Sequence, residues 1–309
     1  MKTLWVECGG IAGLPTTENA ELPPRPWDKM SKEEWIKFKK ENKDLVSRYS
    51  KACANVYAEN REMSSKRIAL LSQMQIAEDY SKYKEIYFPW NLDFRGRIYP
   101  IPTTLNPQSN DIGKSLLKFS RGYKLTDKGM YWWKVGCANA YGEDKIDFDS
   151  RVKWFEENKK WILECGRKPL ECSYWCDADS PFQFLGFCLE YAKGDNISYL
   201  PINMDGTCNG LQHLSAMTLD EIGGKAVNLL DSKEPQDIYT EVAEELKEQL
   251  KLDDEAGIER NYCQMWQDKV DRKLVKSGTM TTPYGVSQYG LKDQILEQAK
   301  EKLEGYTVD

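Results

Sequence analysis

The chain has 309 residues, of which 40% are hydrophobic and 30% charged, a composition that supports one large domain or two with ample core and excludes a disordered or membrane-spanning chain. Its 49 acidic against 43 basic residues give a net charge of -6, which argues against holding nucleic acid by bulk positive charge, though not against cations concentrated in a cleft. Nine cysteines with no secretory segment at MKTLWVEC fit free thiols in a reducing cytoplasm.

Residues 1–28 are rich in Gly and Pro (GGIAGLP, ELPPRPW) and read as an extended connection rather than core. Ser31 with Glu34 forms a capping box ahead of a helix predicted to reach about Asn60, with Trp35, Phe38, Leu45, Tyr49 and Cys53 near one face. A second helix is predicted from Ser64 to Tyr83, with Ile68, Leu71, Met74 and Ile76 apolar. Lys66 and Arg67 at its start suit either a nucleic-acid backbone or a solvated helix end. The run Glu85 to Trp90 is a strand candidate. In the NLDFRGRIYP stretch that follows, an extended chain puts Arg95 and Arg97 on one side, with Gly96 letting a nucleic acid come close; a surface ion pair with Asp93 is the other reading.

Three helices are predicted next: Asp127 to Tyr141, Asp149 to Gly166, and one capped by Ser180 with Pro181 at its first position, reaching about Ala192. Trp132, Trp133, Trp154, Phe155, Trp161, Phe182, Phe184 and Phe187 recur at core spacing and read as packing rather than base stacking. Cys172 and Cys176, with Cys165 nearby, match no usual zinc-finger spacing, and His213 is the one histidine.

The stretch Ser198 to Met217, SYLPINMDGTCNGLQHLSAM, holds a run of apolar residues broken by Asp205-Gly206. A short strand is predicted to end there, followed by a helix from Gly210 to Thr218 capped by Asn209, with Leu211, Leu214 and Ser215 inward. A carboxylate at a strand's end holds a metal ion or simply closes a turn, since Asp-Gly does both. Pro235 then opens a predicted helix with Ile238, Val242, Leu246 and Leu250 inward, and residues 251–259 read as a loop. Asp271 is the predicted N-cap of a helix carrying Arg272 and Lys276 on one face, with Thr279 on the same side. Two cations at that spacing form either a clamp for phosphate oxygens or a solvated basic face. Pro283 disfavours helical geometry at Thr282, and Tyr284-Gly285 follows.

Three motifs together, NLDFRGRIYP with NPQSNDIGKSLL, then DGTCNGLQH, then R-x3-K-x7-YG, occur in an order and spacing that resemble the single-subunit RNA polymerases of bacteriophages and mitochondria. The resemblance runs over nearly the whole chain. It implies an α+β, predominantly helical fold: part of a right-hand polymerase, with the end of a thumb in residues 1–83, palm in 84–233 and the start of fingers in 234–309. It implies DNA-directed nucleotidyl transfer from ribonucleoside triphosphates, with a DNA template and an RNA transcript as partners, no membrane, and a host cytoplasm if viral. By resemblance Asp205 and the Gly206 carbonyl bind one of two Mg2+ ions; Arg272 and Lys276 grip the triphosphate, Lys276 also protonating the leaving group. Tyr284 checks the ribose with Tyr239 in support, and Arg95, Arg97, Tyr99 and Lys114 line the nucleic-acid cleft. The family's second metal-binding Asp lies in a downstream His-Asp-Ser motif, whereas no His follows His213 here. The chain alone is therefore expected to make no RNA processively, being either a split subunit that a second chain completes or a truncated reading frame. A non-catalytic nucleic-acid-binding or assembly module that keeps the palm as scaffold is the alternative.

Overall fold

The protein is described by a computed structural model over residues 3, 5–6, 9–94, 96–232 and 234–299. Capping sets the start of α1, Lys32–Glu41: the Ser31 hydroxyl accepts from the Glu34 N–H while the Glu34 carboxylate accepts from Ser31. The chain breaks at Asn42 and then runs unbroken as α2, Lys43–Tyr80. The predicted break near residue 61 is absent because Arg61, Glu62 and Met63 are ordinary helix formers. The fully buried residues of α2 are Val46, Leu70, Gln73 and Met74; of the predicted faces Met74 is buried and Tyr49, Cys53 and Ile76 are half-buried, whereas Leu45, Ile68 and Leu71 are exposed. Residues 1–28 are not all outside the core either: Leu14 is buried within the main apolar cluster.

The strand expected at residues 85–90 is displaced to β1, Trp90–Leu92, which pairs antiparallel with β2, Ile98–Pro100, Asn91 lying opposite Tyr99. Beyond them come α3, Asp111–Ser115, and β3, Tyr123–Lys124, which pairs with β4, Ile197–Ser198. Between β3 and β4 stand α4, Asp127–Tyr141, α5, Phe148–Arg167, and α6, Pro181–Lys193, as the sequence predicts within a residue or so. They enclose Trp133, Phe155, Ile162, Trp175, Phe184 and Phe187, with Trp133 set edge-on to both Phe155 and Phe187.

Ser180 stands at the N-cap position of α6 with Pro181 next, as predicted, but its side chain makes no cap hydrogen bond. Asp111, on α3, supplies the acceptor instead: its carboxylate accepts the backbone N–H of Phe182 at 2.9 Å and of Gln183 at 3.1 Å. A cap borrowed from another element ties α3 to the core, so Asp111→Ala is expected to cost about 1–2 kcal/mol, read as a lower urea midpoint with unchanged m-value.

Residues further on form α7, Asn209–Thr218, α8, Glu221–Ala226, α9, Ile238–Glu255, α10, Arg260–Trp266, α11, Arg272–Thr281, a 3-10 turn Thr282–Tyr284, and α12, Gln288–Ala299. Asp237 caps α9, which starts at Ile238 rather than at Pro235; its fully buried residues are Tyr239 and Ala243, while of the predicted row Ile238, Val242 and Leu250 are half-buried and Leu246 is exposed, and the helix continues through most of the predicted loop. The chain divides into two compact units, Met1–Asp144 with Phe148–Ile202, and Lys145–Asp147 with Asn203–Asp309. The fold is α+β and predominantly helical. Among the described residues no helix is long and apolar enough to cross a membrane.

Candidate nucleotide-binding site

Asp205, Gly206, Tyr239, Arg272, Lys276 and Tyr284 belong to the second unit, and Arg97, Tyr99 and Lys114 to the first. Residues 199–206 carry no regular structure, so the strand predicted to lead into Asp205 is a loop. A strand persists only where another segment accepts its ladder, and β4 finds one in β3 for two residues. Asp205 is thus exposed on a loop, its Oδ1 accepting the Gly206 N–H at 2.9 Å.

Cys208, not Asn209, stands at the N-cap position of α7, with φ 48° and no side-chain cap hydrogen bond. That turn tucks the thiol inward, where Cys208, Val227 and Tyr239 are buried together and Leu211, Ile238 and Val275 pack around them. Asn209 is released from capping, and its Oδ1 accepts from the Tyr284 hydroxyl at 3.3 Å. Gly210 fits closely here: a Cβ would lie 3.1 Å from the Tyr284 Oη and 3.2 Å from the Pro283 Cβ, so these neighbours would have to give by a few tenths of an ångström. Of the residues predicted inward on α7, Ser215 is buried but Leu214 is 47% exposed. Asn228 fastens the same turn from another side, donating to Thr207 Oγ1 at 3.1 Å and to the Gln236 carbonyl at 2.7 Å while accepting the Gln236 N–H.

Helix α11 begins as predicted, the Asp271 carboxylate accepting the Leu274 N–H at 2.9 Å, and Pro283 does end it in a 3-10 turn. Through Val275 the helix joins the Cys208 and Tyr239 cluster, which sets the two residues flanking it along the helix, Arg272 and Lys276. Arg272 donates its Nε–H to Asp237 Oδ2 at 2.6 Å, and its guanidinium carbon lies 5.1 Å from the Tyr239 ring centroid. Asp237 also caps α9, accepting from the Tyr239 N–H and the Thr240 hydroxyl. Burial would raise the Asp237 pKa, but the hydrogen bonds from Arg272 and Thr240 outweigh it and hold the carboxyl below its ordinary value. Tyr239 is itself buried, and burial together with the neighbouring Cys208 thiol pushes its hydroxyl up to about 12. What Tyr239 presents is a ring face beneath a cation. Lys276 is exposed, with no ion-pair partner among the described residues, and Tyr284 is 62% exposed.

In the first unit the NLDFRGRIYP motif is a hairpin rather than an extended strand. The Asp93 carboxylate accepts the Arg97 backbone N–H at 2.9 Å and Gly96 takes φ +77° in the turn. A closed turn is what Asp and a positive-φ Gly favour. Arg95 lies outside the described residues; Tyr99 is exposed on β2 and Lys114 is half-buried on α3. Sequence reasoning missed Asp237, Cys208 and Asn228. For Asp237 a signal existed, because Asp237-Ile-Tyr-Thr has the pattern of a helix start; for the other two the partners are long-range.

A family model described as DNA-dependent RNA polymerase matches residues 123–308. The chain belongs to this family. It is 36% identical over 323 residues to the T7 RNA polymerase of Escherichia phage T7, covering 96% of this chain and 35% of that protein. It is 33% identical to the mitochondrial DNA-directed RNA polymerase 1 of Arabidopsis thaliana, over 97% of this chain and 31% of that one. It is also 37% identical to the mitochondrial enzyme of Schizosaccharomyces pombe, over 98% and 26%. The chain thus spans about a third or less of these curated relatives. Family membership makes the helical α+β fold part of a phage-type polymerase.

Proposed function

We propose that this chain forms part of a DNA-directed RNA polymerase, in which its second unit binds the incoming ribonucleoside triphosphate. Residues 1–83, 84–233 and 234–309 correspond in this reading to the later thumb, the palm and the start of the fingers. The observation that carries it is the joining of the two motif segments: Val275 packs with Cys208 and Tyr239, and Tyr284 hydrogen-bonds Asn209. Phosphoryl transfer needs alignment and charge neutralisation more than covalent help from the protein. Arg272 offers a planar fork to phosphate oxygens and Lys276 a point charge that also can supply a proton to the departing pyrophosphate. Tyr284, held by Asn209, would hydrogen-bond the ribose 2′ hydroxyl, a group that a deoxyribose lacks.

Asp205 fits one protein ligand's share of a Mg2+ site, since among the described residues its exposed carboxylate accepts only the adjacent N–H and Mg2+ takes one or two carboxylates, with phosphate and water completing the shell. Asp205, with the Gly206 carbonyl, would hold the ion, which when bound offsets negative charge on the reacting oxygens. Arg95, Arg97, Tyr99 and Lys114 are proposed to face template or transcript, and further polypeptide to complete the cleft.

The test is to purify the assembly through a tag on this chain and to assay extension of an RNA primer on a DNA template. Template-dependent ribonucleotide incorporation, lost by about a thousandfold or more in Asp205→Ala, is the expected result. An assembly that binds nucleic acid yet incorporates nothing contradicts it and favours the non-catalytic scaffold.

A further inference from the structure

We propose that Asp237 is a positioning residue for the triphosphate grip, fixing the Arg272 guanidinium so that the edge formed by its two η nitrogens is the one offered to phosphate. The inference rests on the reading of Arg272 as a triphosphate ligand. A guanidinium has two edges that can meet an oxyanion side by side, one containing Nε and one formed by the η nitrogens. Asp237 Oδ2 takes Nε–H at 2.6 Å, and the η nitrogens have no hydrogen-bond partner among the described residues. The ring of Tyr239 lies under the cation at 5.1 Å, so one face is covered and one edge engaged, and the remaining edge is set in direction before any ligand arrives.

Asp237 is itself fixed. Its Oδ1 accepts the Tyr239 N–H at 3.3 Å and its Oδ2 the Thr240 hydroxyl at 2.9 Å. The carboxylate that orients Arg272 is therefore part of the first turn of α9, and the ring beneath the guanidinium belongs to that same turn. One helix start thus holds the arginine by two contacts. Such preorganisation raises affinity by lowering the ordering cost of a long side chain at the moment of binding.

The experiment measures binding of MgATP and MgAMP to the full chain by calorimetry, with melting temperature recorded for each variant. Asp237→Asn and Asp237→Ser both retain a residue that caps helices well. Neither can cap α9 and take the Arg272 Nε–H as the carboxylate does. Asn would present an amide N–H2 to at least one of the three donors, and Ser is too short. Each is expected to weaken MgATP about three- to tenfold, to leave MgAMP unchanged, and to have no further effect in an Arg272→Gln background. A merely structural role would weaken both nucleotides and persist in that background, and that result overturns the proposal. Normal MgATP affinity in both Asp237 variants, alongside a defect in Arg272→Gln, overturns this proposal alone. A parent chain that binds MgATP no better than MgAMP overturns the reading of the site, and this one with it.

Discussion

Arg272→Ala is expected to weaken MgATP binding by about ten- to a hundredfold, because each hydrogen bond to a charged group is worth about 1.5–3 kcal/mol. It should also lower stability. Asp237 keeps 27% of its side chain exposed and Arg272 37%, so removing the cation strands a partly buried carboxylate. The loss for a fully buried pair is discounted accordingly, to about 1–2 kcal/mol. Because the Asp237 pKa is lowered in the folded chain, the carboxylate's contribution is present at neutral pH and lost as acid protonates it. In Arg272→Ala the acid dependence of the melting temperature should therefore flatten. Arg272→Lys should recover little affinity, since an ammonium cannot hold Asp237 and present a planar fork at once. Full affinity in Arg272→Ala would remove the arginine from the site.

The second large effect concerns stability. Glu190 is 9% exposed, and its carboxylate accepts from the Trp133 indole N–H at 2.9 Å, the Ser198 hydroxyl at 2.6 Å and the Tyr199 N–H at 2.8 Å. These donors pin the end of β4 and the chain just beyond it to the aromatic core. Glu190→Leu leaves all three without an acceptor in a buried place, an expected loss of about 3–5 kcal/mol by chemical denaturation. Glu190→Gln retains one acceptor oxygen but sets an amide N–H2 against a donor, and should lose about 1–3 kcal/mol. A denaturation midpoint for Glu190→Leu equal to that of the parent would contradict this account of the core.

What could be read in the sequence was what local chemistry determines. Asp127–Tyr141 and Pro181–Lys193 were legible because apolar spacing and a Pro at a helix start act within a turn or two. The capping box at Ser31 and the N-cap at Asp271 were legible for the same reason. The strand before Asp205 was misread because pairing depends on a distant segment. Ser180 was placed correctly at the N-cap of α6, but the acceptor that serves that turn, Asp111, was not legible because it lies 71 residues from Phe182. In the candidate site Arg272, Lys276 and Tyr284 carried their own motif, but Asp237, the counter-ion of Arg272, stands 35 residues away. A half-buried arginine does imply an acid nearby, yet sequence spacing does not say which of 49 acidic residues it is. The hairpin of NLDFRGRIYP was hidden by treating its Gly as a place of close approach, when a positive φ in a turn accounts for it.

The claim at the centre is that Asp205 and the Arg272–Lys276 face of α11 serve one triphosphate. A crystal structure of the chain with Mg2+ and a non-hydrolysable ribonucleoside triphosphate tests it most directly. The account predicts a metal ion on the Asp205 carboxylate, bridged to the same nucleotide whose phosphates meet the Arg272 η nitrogens and the Lys276 ammonium. A nucleotide bound at α11 while Asp205 opens onto a different surface would contradict it.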